Sequence, residues 1–63
     1  MKVDTYPGDR MIYIELVDSA VSVDSDEVST GVVIDYDGAG QPIGIEIDVE
    51  AILSAPKALK AHE

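Results

Sequence analysis

The sequence predicts an α+β domain: a small antiparallel β-meander of four to five strands with one C-terminal helix packed on one face. Three observations predict it. Residues 31–37 and 43–47 are two runs rich in β-branched residues, and the Gly38-Ala39-Gly40 stretch between them is a turn signal. Residues 11–17 alternate with the period of a strand. At Asp48 the period lengthens to that of a helix, and a run of strands followed by one helical segment gives the α+β order.

The elements follow in order. A short strand over residues 2–6 ends at Tyr6-Pro7-Gly8-Asp9, where Pro then Gly suits the centre of a type II turn. In residues 11–17, Ile12, Ile14 and Leu16 point one way, while Met11, Tyr13, Glu15 and Val17 point the other. Asp18-Ser19-Ala20 makes the next turn. Residues 21–30 are strand-like but polar and acidic, as an edge strand is. In the hairpin, setting Tyr36 against Ile43 puts Ile34 against Ile45 and Val32 against Ile47, three apolar pairs that a one-residue slip would destroy. The opposite side then carries Val33, Asp35, Gly44 and Glu46, a mixed and wetter set. Asp48 caps a helix with Glu50 in its first turn and Val49, Ile52 and Leu53 at helical spacing. Pro56 interrupts it by pushing Ala55 out of helical geometry, and Lys57 and Lys60 suit a helix C-terminus.

The whole chain reads as one domain over residues 1–63. The sheet occupies about 2–48, the helical segment about 49–60, and residues 61–63 are a frayed tail. The helix is expected on the side of Ile12, Ile14, Leu16, Val32, Ile34, Ile45 and Ile47. At 63 residues the chain is near the lower size at which one core suffices, and with no cysteine it has no disulfide or thiolate zinc to reinforce it. A homodimer is therefore expected, with Met11, Tyr13 and Val17 as the side left to cover.

The hairpin residues carry a resemblance. Gly31-Val32-Val33-Ile34-Asp35-Tyr36-Asp37, then Gly40, then Ile43-Gly44-Ile45-Glu46-Ile47, together with Tyr13-Ile14-Glu15-Leu16 and Val28, resemble domain-of-unknown-function family 2283, small bacterial proteins of about this length. The likeness runs to about Leu53. It implies a compact antiparallel sheet with a terminal helix, and no activity. In this chain Arg10 stands where the family's acidic residue would fall, and Asp9 is displaced by one.

Charge excludes whole classes of partner. There are 13 acids against 4 bases, a net charge of −9, and nothing from Met11 to Pro56 is basic. Such a surface repels the phosphate backbone of nucleic acid and anionic lipid alike, since binding to either begins with neutralisation by Lys and Arg. A basic protein fits it. No apolar run approaches the ~20 residues of a membrane span, and the Met1-Lys2-Val3-Asp4 start lacks the apolar core of a secretion signal, so the expected setting is cytoplasmic.

The sharpest chemical candidate is the acidic hairpin of Asp35, Asp37 and Glu46. With Asp35 at position 1 of a calcium loop, Asp37, Gly40 and Glu46 fall at 3, 6 and 12. Against that, Ala39 at position 5 offers no oxygen, Pro42 stands at position 8, and no helices flank the loop. The register also sets Asp35 and Glu46 as diagonal neighbours about 7–8 Å apart. A Gly-rich turn explains the same letters. Gly38-Ala39-Gly40 has neither the following helix nor the Lys of a phosphate cradle. His62, the only histidine, is next to last, and there is no cysteine, so no Ser-His-Asp or Cys-His site is expected. Carboxylate pairs such as Asp35 with Glu46 or Asp24 with Asp26 read as a solvated face. Tyr6, Tyr13 and Tyr36 read as half-buried strand residues before interface anchors. No catalytic, metal or cofactor residues are assigned. The function expected is a non-catalytic interaction or regulatory module, and the alternative is a divalent-metal-binding protein using the Asp35–Glu46 hairpin.

Overall fold

A computed structural model describes residues 1–55. Five strands and one helix follow in order: β1 (Lys2–Tyr6), β2 (Met11–Glu15), β3 (Asp24–Ser29), β4 (Val32–Tyr36), β5 (Pro42–Asp48) and α1 (Val49–Leu53). All pairings are antiparallel, in the order β1-β2-β5-β4-β3. The fold is α+β, as its element order implies. β1–β2 and β3–β4–β5 are local up-and-down units, and β5 joins them by lying against β2.

Register sorts the side chains into two faces, because successive residues of a strand point to opposite sides. One row across the sheet reads Val3, Ile14, Ile45, Ile34, Asp26, and the next Thr5, Ile12, Ile47, Val32. This is the isoleucine face. On the reverse, one row reads Asp4, Tyr13, Glu46, Val33, Glu27, and its neighbour Lys2, Glu15, Gly44, Asp35, Ser25. This is the acidic face. The expected pairs of Ile34 with Ile45 and Val32 with Ile47 are present. Tyr36, however, faces Pro42 rather than Ile43, because the register shifts between Asp35 and Tyr36. Pro42 has no N–H to give the ladder, and the extra residue is Ile43, at 3% exposure the one buried hydrophobic residue among the described residues. The Ile43 carbonyl then accepts from both Leu16 and Val17 N–H, 2.9 and 3.3 Å, which ends β2 before Val17.

Turn chemistry accounts for the rest of the backbone. The β1–β2 turn is closed by Asp9 N–H to the Tyr6 carbonyl at 3.0 Å and Arg10 N–H to that of Pro7 at 3.3 Å. The positive φ expected at Gly8 falls instead on Arg10, at 55°, so this is not a type II turn. A four-residue loop between Tyr6 and Met11 needs its left-handed residue last, next to the strand it enters. Gly31, φ 79°, closes the β3–β4 turn, and a Cβ there would come within 2.8 Å of the Asp48 carbonyl and of Ile52. β3 is an exposed edge strand throughout, as its acidity implied, and is bulged between Glu27 and Ser29.

Asp48 caps α1 by accepting from Ala51 N–H at 3.2 Å, and Val49 N–H reaches back to the Arg10 carbonyl at 3.0 Å. The helix is one turn long and ends at Ser54, and none of its residues is buried. It packs against β2 and sets Ile52 close to Gly31, and with Ile52 and Leu53 exposed this single turn is too short to cover the whole isoleucine face. The proposed continuation of the helix to residue 60, the break at Pro56 and the frayed tail lie outside the described residues.

A non-glycine residue in left-handed backbone costs about 1–2 kcal/mol, part of which glycine would return as unfolded-state entropy. Arg10→Gly should therefore stabilise the protein by about 0.5–1 kcal/mol, since the exposed Arg10–Glu50 pair lost with it, at 3.5 Å, is worth little. A thermal melt reads this directly. A lower Tm for the glycine variant would show that Arg10 is held there by more than turn geometry.

Candidate functional site

The acidic face is where side chains of different strands meet in one polar cluster. It is built around a missing side chain. Gly44 lies in β5 between β2 and β4, and the Tyr13 ring crosses above it: a Cβ at Gly44 would collide with the Tyr13 hydroxyl and ring. The crossing carries the hydroxyl from β2 toward Asp35 on β4. Asp35 is consequently one of the most enclosed residues of the chain, at 6% exposure. The side expected to be wetter thus holds the buried carboxylate.

The groups of this cluster perturb one another. Glu46 has its pKa raised, first by a side-chain hydrogen bond with Asp35, then by burial and by the Asp35 charge. The diagonal pair that register alone set apart is therefore close enough for each carboxyl to act on the other. Tyr13 is also raised, first by burial, then by the charges of Asp35, Glu15 and Glu46, and by a hydrogen bond with Asp35. It stays a neutral donor through the physiological range. Tyr13, Asp35 and Glu46, on three adjacent strands, thus form one polar cluster in which two groups hold their protons more tightly than usual.

Asp37 is not part of it. Its Oδ1 accepts from the N–H groups of Ala39 and Gln41, both at 2.9 Å, while Asp37 N–H donates to the Gln41 carbonyl at 3.0 Å. This is a side chain folding its own loop, with Gly40 at φ 83° completing the turn. The structure therefore brings Asp35 and Glu46 together and turns Asp37 away. Among the described residues, no three acids, histidines or cysteines converge as metal ligands. Asp24 and Asp26 stand on the edge strand β3, exposed and on the isoleucine side. His62 lies outside the described residues.

Beside the cluster, an open groove of about 490 Å³ is lined by Tyr6, Asp9, Met11, Ile12, Tyr13 and Glu46. Tyr6 is half exposed. Aromatic rings with carboxylates next to them form a surface suited to a cation. The role of Tyr13 was open to inspection only through its partners: the sequence shows the Tyr and the Gly, but their contact depends on β2 lying beside β5.

A family described as a protein of unknown function (DUF2283) matches residues 9–48, well over half of the chain. The match takes in β2 to β5 and with them Tyr13, Asp35, Gly44 and Glu46. No curated protein and no solved structure matches the chain. Among the described residues no helix is long and apolar enough to cross a membrane.

Two outcomes test the site. Asp37→Ala should lower stability by about 1–2 kcal/mol through the loss of two N–H acceptors, while Asp37→Asn, which keeps an Oδ1, should sit near the wild type in a denaturant titration. Equal losses from both would mean that the charge, not the acceptor, matters. For Glu46 the folded state binds its proton more tightly than the unfolded chain. Its contribution is present below the unfolded value and is lost as pH rises through the raised folded value. Stability should therefore fall as pH climbs above the ordinary glutamate range, and Glu46→Gln, which keeps a donor for Asp35, should flatten that part of the curve and raise Tm at neutral pH. A steeper curve in Glu46→Gln would refute the raised Glu46 value.

Proposed function

Because the chain belongs to the DUF2283 family, whose name assigns no activity, we propose its function from the surface itself: a non-catalytic interaction module that receives a basic segment of another protein on its acidic face. The observation that carries this is the groove in which Tyr6 and Tyr13 stand beside Asp9 and Glu46. A lysine or arginine side chain placed there would meet aromatic faces and the Asp9 carboxylate together, and each strengthens the other where water is partly excluded.

The surroundings favour the same partner. Asp4, Glu15, Glu27 and Glu46 share this face with a single base, Lys2, which lies opposite Glu15 in the β1–β2 register. The other base among the described residues, Arg10, stands 3.5 Å from Glu50. A field of one sign steers an oppositely charged partner and repels phosphate, so nucleic acid and anionic membrane are not the partners of this reading. A small regulatory subunit or a neutraliser of a basic protein, working in the cytoplasm, fits it.

The test is a pull-down from the native host at moderate salt, run in parallel with wild type and with Asp4→Asn/Glu15→Gln/Glu27→Gln. A basic protein should be retained by the wild type, released by added salt, and lost from the triple variant. Tyr6→Ala should weaken retention without changing the melting curve. Retention of the same proteins by all three chains, or of nothing basic by any, would remove the proposal.

A further inference from the structure

The isoleucine face poses the opposite problem. Ile12, Ile14, Val32, Ile34, Ile45 and Ile47 form two adjoining rows, and each is half-buried rather than buried. Val3, at the end of one row, is 55% exposed. Among the described residues only Ile43 is buried of the hydrophobic ones, and no side chain is wholly enclosed. The described residues measure 38 × 28 × 16 Å, one layer deep, with a radius of gyration of 13.2 Å. A closed domain of that many residues would have about 10.1 Å. A sheet with one apolar face must bury it against a second layer, and α1, one turn long with none of its residues buried, does not supply one. Residues 56–63 contain a single large aliphatic side chain, Leu59, too little for a face of this size.

We propose that a second copy of this chain supplies that layer: two isoleucine faces stack, sheet on sheet, as a symmetric homodimer. Size fits. The 38 × 28 Å outline, edges and turns included, caps the face at about 1,000 Å², which leaves room for the about 800 Å² that a stable interface takes from each partner. Charge fits as well. The acids of β2, β4 and β5 point to the reverse face, so stacking buries none of them, and the only strand acids on the interface side, Asp24 and Asp26, stand on the β3 edge, at the rim. A C2 contact requires a surface complementary to itself, and a uniform aliphatic face is that. Each protomer's acidic face remains outward and free, so the dimer does not rest on the reading of that face. The side first expected to pair, Met11 with Tyr13 and Val17, is instead closed partly by its own chain through the Tyr13–Gly44 crossing.

Sedimentation of the whole chain at low and high ionic strength tests the proposal. The expected mass is twice the 6.7 kDa of one chain, with tighter association at high salt as the two −9 charges are screened, and a Tm that rises with protein concentration. A monomer at both salts whose Tm ignores concentration overturns it. To assign the face, labelled and unlabelled chains are mixed and magnetisation transfer between them is read by NMR. Transfer should join the methyl groups of Ile14, Ile34 and Ile45 across the interface. Transfer confined to Met11, Tyr13 and Val33 would place the contact on the other face and overturn the assignment. Ile14→Glu should abolish the dimer and its fold together, whereas Met11→Lys, on the reverse face, should leave the mass doubled. A doubled mass in Ile14→Glu, or a monomer in Met11→Lys, counts against the proposal.

Discussion

The pairing of β2 with β5 is the interaction on which the rest depends. Every other ladder joins neighbours in sequence across a short turn and costs little chain entropy to close. β2 and β5 are separated by the whole of β3 and β4, yet five residue pairs join them, from Met11–Asp48 to Glu15–Gly44. That one ladder fuses a hairpin and a three-stranded unit into a continuous sheet. It sets Ile12 and Ile14 beside Ile47 and Ile45 on one side, and Tyr13 over Gly44 on the other. Without it neither face exists.

Local features were legible in the sequence and this one was not. The Ile34–Ile45 and Val32–Ile47 pairs follow from alternation and a short turn, so period two is enough to find them. The acidity of residues 21–30 marked an edge strand, of which Asp24–Ser29 pairs, for the same reason: charge is tolerated where no neighbour pairs. The shift at Tyr36 was missed because a bulge adds one residue without changing the pattern on either side. Arg10 was missed because Pro-Gly announces a turn while the geometry of a four-residue loop decides which residue is left-handed. The joined carboxylates were missed because an Asp and a Glu in diagonal register look separate until the length of the glutamate side chain and the cover of a tyrosine from a third strand are added.

The two faces divide the chemistry. One is aliphatic and nearly free of charge, the other carries carboxylates, two tyrosines and one lysine. A single layer cannot hide either face from solvent, so the sheet is stable only insofar as one face is taken from water. The polar cluster contributes differently. Gly44 gives up a side chain that could have packed, and in exchange the Tyr13 ring fixes the relative positions of β2, β5 and β4 and shields Asp35.

The bulged, fully exposed β3 has a consequence for the chain in a crowded cell. An open sheet has two unpaired borders, and each is a template on which another strand could add without limit. Here one border carries Asp24, Asp26 and Glu27, with two of the three carboxylates projecting toward the apolar side, and an irregular step near Val28 that bends the backbone out of line. An incoming strand would have to bring its own charge close to those acids and match a kinked ladder. Fibril growth from that border is therefore disfavoured, which leaves Lys2–Tyr6, short and ended by a proline turn, as the other border to guard.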